Sequence, residues 1–498
     1  MKRVVTAQEM RDYERERFEN KTASSLDWME RAAGGVADLL KQRYPGNSVL
    51  VVCGGGNNGG DGFALLRLLK KSGVVCAGVL LADPTKIAGD AKTNYRRALD
   101  LGIVFHPNLS EALLKQFQVL VDAMFGTGLS RPLDGIYADA VQQINNSRRP
   151  VVAVDLPSGV DATSGGILGC AIRASETVTF EFYKRGQLLF PGREYCGEVF
   201  VQPLSGEEGS VFSEPDVALF TRKDAALLLP RRPIQSHKGS NGRALLCVGS
   251  ERYTGAALLC TGAALRAGTG LTTAAVPGAL KQAFSALPEA MAVPINETGV
   301  WDGQACRNAS ALFSHQNAIC VGCGVGEGNI LPLLEELLKI KTPAVLDADA
   351  LNQLAKAPEL LLCLHPNVIL TPHPAEMARL CGESLESILA DPIGIARKYA
   401  KKWNCILLLK GATTCVSNGN TVRLNASGNA GLAKGGSGDV LSGLITGLLA
   451  QGLTAYDAAV TGAYLLGVSA DAALELLGER MLLARDVIGA IEQTIRRF

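Results

Sequence analysis

Histidine, aromatic side chains and net charge are all scarce in this sequence. The 5 histidines show no metal-ligand spacing, which argues against an imidazole-built metal centre. Lys+Arg 49 against Asp+Glu 48 leaves a formal charge of +1, so no global field pulls the chain toward nucleic acid or an anionic membrane. Any anion site must be local. No uninterrupted apolar run approaches the ~20 residues that cross a bilayer. The opening MKRVVTAQEMRDYERERFEN is too charged for a signal peptide. A cytoplasmic homo-oligomer is therefore expected, with neither nucleic acid nor membrane as partner. A disulfide framework is also missing: the 13 cysteines are scattered, which fits reduced thiols. Cys320 and Cys323 form a lone CxxC in an apolar stretch, which reads as core rather than as a zinc or redox centre.

What the sequence does have is length and apolar content. Its 498 residues suit two large or three small domains, and 47% hydrophobic residues suffice for full cores. Short β-branched runs alternate with helix-like stretches in the first half: VLVVC, VVCAGVLL, VLVDAMF, VVAVD and TVTFEF. Continuous apolar strands separated by helices predict a parallel sheet covered on both faces. Residues 205–235 are polar and rich in Gly, Pro and Ser, and read as a domain junction. A second α/β alternation follows: RALLCVGS, LTTAAVP, AICVGCG, PAVLDADA, NVILTPHP and CILLLKG. No repeat relates the halves, so the fold class is α/β with two unlike units.

In the first half, Gly54-Gly55-Gly56-Asn57-Asn58-Gly59-Gly60-Asp61-Gly62 lies between a strand and a helix. Glycines admit close backbone approach, and a helix N-terminus offers N–H donors to an anion. A bare tight turn is the simpler reading, but it does not need so many glycines or the Asn-Asn-Asp. Asp122 and Asp155 end two further strands, each followed by turn residues. One such Asp is commonly a helix cap; two, on the rim of one parallel sheet, predict a convergent site. Asn58, Asp122 and Ser158 can also hold a hard cation.

In the second half, Gly428 to Asp439 (GNAGLAKGGSGD) precedes Val440, Leu441, Leu444, Ile445, Leu448 and Leu449 at helical spacing. A glycine-rich turn at a helix start makes an anion hole, and Asp439 there can act on a substrate hydroxyl or merely cap the helix. His373, between two prolines after a strand, falls at the expected ligand rim. Asp347 and Asp349 in DADALN read as a strand end and a helix start, with no catalytic role.

GGGNNGGDG, DAMFGTGLSRPLDGIY and VVAVDLPSGVDATSG resemble, in order over residues 10–217, the epimerase domain of the NAD(P)H-hydrate repair family of YjeF type. GGSGD before a helix resembles the catalytic turn of ribokinase-like kinases. HKGSNGRALLCVGS, YTGAALLCTGAALRAGTGL, VGCGVG, DADALN, TPHPAEMARL and KGATT resemble the dehydratase domain of the same repair family, over residues 224–498. The resemblance implies a Rossmann-like three-layer epimerase domain over 1–218 and a ribokinase-like α/β dehydratase domain over 222–498. It implies that hydrated NADH and NADPH are bound by Asn57, Asn58, Gly59, Gly60 and Asp61, then by Gly126, Thr127, Gly128, Leu129, Ser130, Arg131 and Pro132, with Tyr137 and Asp155. Asp155 would transfer the proton, with Lys184 near, and potassium would sit on Asn58, Asp122 and Ser158. In the second domain Ala256, Gly324, His373 and Asp439 would take the hydrate. Lys410, Gly411, Ala412, Thr413, Thr414 and Gly438 would take the nucleotide. Two positions depart from the family's pattern: Ala375 replaces a glycine after His-Pro, and Cys323 stands where the loop is often Gly-Pro-Gly.

A kinase-like domain can dehydrate by phosphorylating the ring hydroxyl and expelling phosphate. Asp439 would accept the hydroxyl proton while the GGSG amides stabilise the phosphoryl charge. Magnesium is expected on the nucleotide, with ADP as donor. The alternative is a ribokinase-like small-molecule kinase carrying a non-catalytic Rossmann-like binding domain; the intact Asp61, Asp122 and Asp155 argue against it.

Overall fold

A computed structural model describes residues 1–20, 24–205, 215–496 and 498. The chain divides into two compact units, Lys2–Pro215 and Asp216–Phe498 with Met1.

The first unit is built on seven parallel strands. Their order is Phe105–His106, Cys76–Leu80, Val49–Cys53, Val119–Ala123, Val151–Val154, Glu176–Phe180 and Glu198–Gln202. Every residue of Val49–Cys53 and Val119–Ala123 is buried, as a strand covered on both faces requires. Alternate residues serve different cores. Val49, Val51 and Cys53 pack with Phe63, Leu66 and Val36 on one face, while Leu50 and Val52 pack with Leu114, Val141 and Ile144 on the other. Helices Ser25–Arg43, Asn57–Lys71 and Gly89–Asp100 supply the first layer, and Gly135–Asn146 lies in the second. The result is the expected Rossmann-like three-layer fold. Strand order reverses between Val49–Cys53 and Val119–Ala123, and a crevice beyond the strand ends opens at such a point. Two edge strands escape the sequence reading: Phe105–His106 has only 2 residues, and Glu198–Gln202 is largely half-exposed.

In the second unit the strand order is Met291–Pro294, Leu271–Val276, Arg243–Cys247, Ala318–Val321, Ala344–Leu346, Val368–Leu370, Ile406–Leu409, Thr414–Ser417, Val422–Asn425 and Val217–Leu219. Only Thr414–Ser417 runs against its neighbours. The reversal point here lies between Arg243–Cys247 and Ala318–Val321. Helix Ser437–Ala450 is buried from Val440 onward, which explains why it is apolar all round. It packs on helix Thr254–Arg266 so closely that a Cβ at Gly443 would lie 2.1 Å from the Cys260 carbonyl oxygen.

Two sequence readings need correction. The junction at 205–235 is not wholly irregular: Val217–Leu219 pairs in parallel with Val422–Leu424, so Val217 and Ala218 belong to the second unit's sheet. Helix Arg222–Leu228 follows, started by a Thr221/Asp224 capping box. Residues 206–214 of that junction lie outside the described residues. Further, helix Ala455–Leu477 is long and apolar enough by length and composition to cross a bilayer. Gly, Ser, Thr and Asp interrupt its apolar run and hide that in the sequence. Its buried residues join the core, and Asp471 accepts hydrogen bonds from the Gly428 N–H and the Asn429 amide.

Candidate active sites

In the first unit the glycine loop leaves strand Val49–Cys53 at the reversal point. A Cβ at Gly54 would lie 2.2 Å from the Met124 carbonyl oxygen, so only glycine lets the loop pass that strand end. The helix that follows starts at Asn57 with Gly56 as N-cap and no side-chain cap, which leaves its leading N–H groups for a ligand.

Gly126 marks where the elements meet. A Cβ there would lie 3.0 Å from Asn58 Oδ1 and 3.1 Å from Asp155 Oδ2, so three sequence-predicted residues share one spot. Asp155 has φ +66°, a strained value for a residue with a side chain. Its surroundings hold it firmly. Its N–H donates to the Val178 carbonyl (2.8 Å), and its own carbonyl accepts from the Gln187 amide (2.7 Å). Buried Lys184 donates to Asp155 Oδ1 at 2.6 Å and to Thr179 Oγ1 at 2.9 Å. Burial, with Asp155 and Glu14 nearby, raises the Asp61 carboxyl well above the usual range. Glu14 itself rises to about 7, through burial first and the Asp155 charge second.

Asp122 is fully buried and accepts from the Ser158 N–H (2.7 Å), the Ser158 hydroxyl (2.7 Å) and the Met124 N–H (3.2 Å). Burial lifts it to about 6 against those donors. It caps no helix. Asn58 keeps a buried amide nitrogen with no hydrogen-bond partner. The loop after Gly126 carries Thr127, whose carbonyl accepts from Arg11 (3.5 Å), and Tyr137 packs edge-on against Phe125. Gly128, Ser130, Arg131 and Pro132 are exposed and Leu129 is half-buried.

In the second unit, Gly436 sits at φ +98° as the N-cap of helix Ser437–Ala450, and no side chain caps it. Asp439 therefore lies inside the first turn and is not the cap. Burial foremost, with Cys323 and Asp347 beside it, raises its carboxyl to about 8, against the pull of Lys410. A Cβ at Gly438 would lie 3.6 Å from both Asp347 Oδ2 and Lys410 Nζ. Asp347 is buried and accepts from Lys410 (2.9 Å), the Ser442 hydroxyl (2.7 Å) and the Ala348 N–H (2.8 Å). Burial pulls the Lys410 ammonium down, but Asp347 and Glu376 outweigh it and leave it raised.

His373 caps helix Pro374–Cys381: its Nδ1 accepts from the Ala375 and Glu376 N–H groups, both at 3.2 Å. Its Nε2 lies 3.5 Å from Glu376 Oε1. Gly324, at φ +69°, abuts Ala256; a Cβ on it would lie 2.7 Å from the Ala256 methyl. Asp349 anchors the Gly326 N–H at 2.7 Å. Thr414 opens the antiparallel strand and Thr413 is buried, while Gly411 and Ala412 are exposed.

The sequence reading missed Glu14, Thr179, Gln187, Glu376 and Ser442, and gave Asp347 no role. Asp347 alone carried a readable signal, as an acid ending a strand like Asp122 and Asp155.

Two parallel-sheet units, each gathering carboxylates and a lysine at its strand ends, define a two-domain α/β enzyme. The family described as YjeF-related protein N-terminus matches residues 25–186, and the family described as NAD(P)H-hydrate dehydratase matches residues 244–493. The bifunctional NAD(P)H-hydrate repair enzyme Nnr of Moorella thermoacetica is 37% identical over 99% of this chain and 96% of its own. Its Escherichia coli counterpart is 31% identical over 99% of this chain and 94% of its own. The ADP/ATP-dependent NAD(P)H-hydrate dehydratase of Bacillus subtilis, crystallised with ATP/Mg2+, covers 57% of this chain and 99% of its own at 28% identity and a TM-score of 0.50. The chain belongs to the family of bifunctional NAD(P)H-hydrate repair enzymes.

Proposed function

We propose that the first unit interconverts the R and S hydrates of NADH and NADPH, and that the second dehydrates the S hydrate at the expense of ADP. The observation that carries this is Asp439: a half-buried carboxyl in the first turn of a glycine-started helix, beside the Asp347–Lys410 pair and free of any capping bond. It accepts the proton of the hydrate hydroxyl. The hydroxyl oxygen then bonds to the β-phosphorus of ADP, and AMP leaves. The ring nitrogen's lone pair expels phosphate, and loss of the second proton restores NAD(P)H. Lys410 and the amides from Gly436 to Gly438 steady the phosphoryl charge. The nucleotide lies along Lys410, Gly411, Ala412, Thr413 and Thr414, and the hydrate against Ala256, Gly324 and His373. Magnesium would enter with the nucleotide and supply positive charge against its phosphates.

In the first unit Asp155, oriented by Lys184, moves the proton that allows the hydrated carbon to change configuration. The hydrate lies between residues 57–61 and 126–132. The donors of Asn58, Asp122 and Ser158 fit potassium: they are hard oxygens, and the unpartnered Asn58 amide is free to turn its oxygen inward. The ion would screen the substrate's phosphates.

The test mixes racemic hydrated NADH with the full chain, magnesium and ADP or ATP, and follows dihydronicotinamide absorbance. Complete recovery is expected with ADP. Recovery that halts at half removes the epimerase, and none with either nucleotide removes the dehydratase.

A further inference from the structure

Behind Asp439 lies a group that the repair chemistry does not use. Cys260 on helix Thr254–Arg266, Cys320 on strand Ala318–Val321 and Cys323 in the loop after it are each 0% exposed. Their three sulfurs lie within 4.8 Å of one another, and Cys260 Sγ is 3.9 Å from Cys320 Sγ. A tetrahedral zinc with bonds of about 2.3 Å holds its sulfurs ~3.8 Å apart. The thiols thus stand close to the edge length such an ion needs. Buried cysteines can simply fill space as small hydrophobes, but three converging from a helix, a strand and a loop form one face of a tetrahedron. Asp439 neighbours Cys323, so the cluster lies next to the second unit's proposed proton acceptor. Lys410 also acts on Cys323 and would offset the negative charge of a thiolate-rich site.

We propose that Cys260, Cys320 and Cys323 form a binding site for a thiophilic divalent cation of the zinc class, and that its occupation, next to Asp439, weakens the second unit's proton acceptor. Each metal–sulfur bond replaces an S–H bond, and the proton passes to the buffer. No electrons are exchanged and no oxidant is needed. A filled site would slow dehydration, because a cation beside Asp439 lowers its proton affinity, and leave epimerisation running.

The inhibition rests on the role given to Asp439, whereas binding does not, so the test reads them separately. Cadmium chloride is titrated into the full chain, held reduced by a phosphine, while the cadmium–thiolate charge-transfer band is recorded. One saturable site per chain is expected. Losing a mere supporting group at a metal site costs about 10–100-fold in affinity, so Cys260→Ala and Cys320→Ala should each weaken binding at least that much. Cys363→Ser, at an exposed thiol, should leave it unchanged. No band, a band surviving in both alanine variants, or a band lost in Cys363→Ser overturns the site. In the activity arm, zinc should inhibit dehydration in the parent chain and require at least about tenfold more metal in Cys260→Ala. Cadmium binding with undiminished dehydration overturns the inhibition.

Discussion

Asp155 and Asp439, the two proposed proton carriers, differ in both place and neighbours: Asp155 directly follows a strand, whereas Asp439 lies in the first turn of a helix. Asp155 pairs directly with a buried lysine at 2.6 Å, and the strain lies in its own backbone, at φ +66°. In the second unit the lysine pairs with Asp347 instead, and the residue at positive φ is Ala348 (+49°). Burial first, then Cys323 and Asp347 beside it, raises the Asp439 carboxyl to about 8 against the pull of Lys410. Asp155 is thus a carboxylate held by an ammonium, whereas Asp439 is one whose burial raises its proton affinity.

The comparison breaks most sharply under paired substitutions. Asp439→Asn should cut ADP-dependent dehydration by about 10²–10⁴-fold and spare epimerisation. Asp155→Asn should do the reverse: repair of a racemic hydrate mixture halts once the S form is gone. Absorbance recovery on resolved epimers checks both. Full-rate repair of the racemate by Asp155→Asn would end its role as the epimerase's proton carrier.

The lysines should differ next. Lys184→Met removes the cation from the buried Asp155 carboxylate and leaves it the Thr179 hydroxyl at 3.2 Å, and breaking such a pair costs about 3–5 kcal/mol of stability. Lys410→Met leaves Asp347 with the Ser442 hydroxyl and the Ala348 N–H, so the loss should be nearer about 1.5–3 kcal/mol. Denaturant midpoints of the two variants give the order; equal losses would mean the two ion pairs are alike.

Dehydration should also carry a pH signature. A base works only when deprotonated, and a carboxyl raised to about 8 gains protons as pH falls through that value. The rate should therefore fall roughly tenfold per unit below about 8. The residual activity of Asp439→Asn should lack that limb. A parent profile flat from acid to alkaline pH would remove Asp439 as the base.

How much of this could be read beforehand follows from range in the chain. The apolar runs revealed the central strands, because strands buried on both faces have no polar alternation to blur them. The glycine loops were legible because close backbone approach, as at Gly54, excludes every other residue. The hairpin Thr414–Ser417 to Val422–Asn425 was missed although Asn418-Gly419, a common hairpin-turn pair, lies in its turn. Glu14, Thr179, Gln187 and Ser442 were not readable. Each is an ordinary polar residue within a helix, strand or turn, and only the tertiary fold brings it to a site formed 24 to 141 positions away. Asp347 was weighed as a local strand end alone, whereas helix Ser437–Ala450 brings Ser442 against it from 95 positions away.

The smallest effect concerns His373, where a cap and a ligand can be separated. Its Nδ1 accepts from two backbone N–H groups, which requires that nitrogen to be unprotonated. Burial holds the ring's pKa below its usual value, against the nearby Glu376, and so keeps it in that form. Removing the cap in His373→Ala should cost about 1 kcal/mol of stability. Asparagine offers an acceptor at the same end and is among the best N-caps, so His373→Asn should recover that stability. It cannot restore the far ring nitrogen, which lies 3.5 Å from Glu376 Oε1 and is the part of the ring left for the proposed hydrate. The KM for the S hydrate should therefore rise in both variants, with kcat nearly unchanged. Stability and KM both restored in His373→Asn would make the histidine a cap and nothing more, and would remove it from the hydrate site.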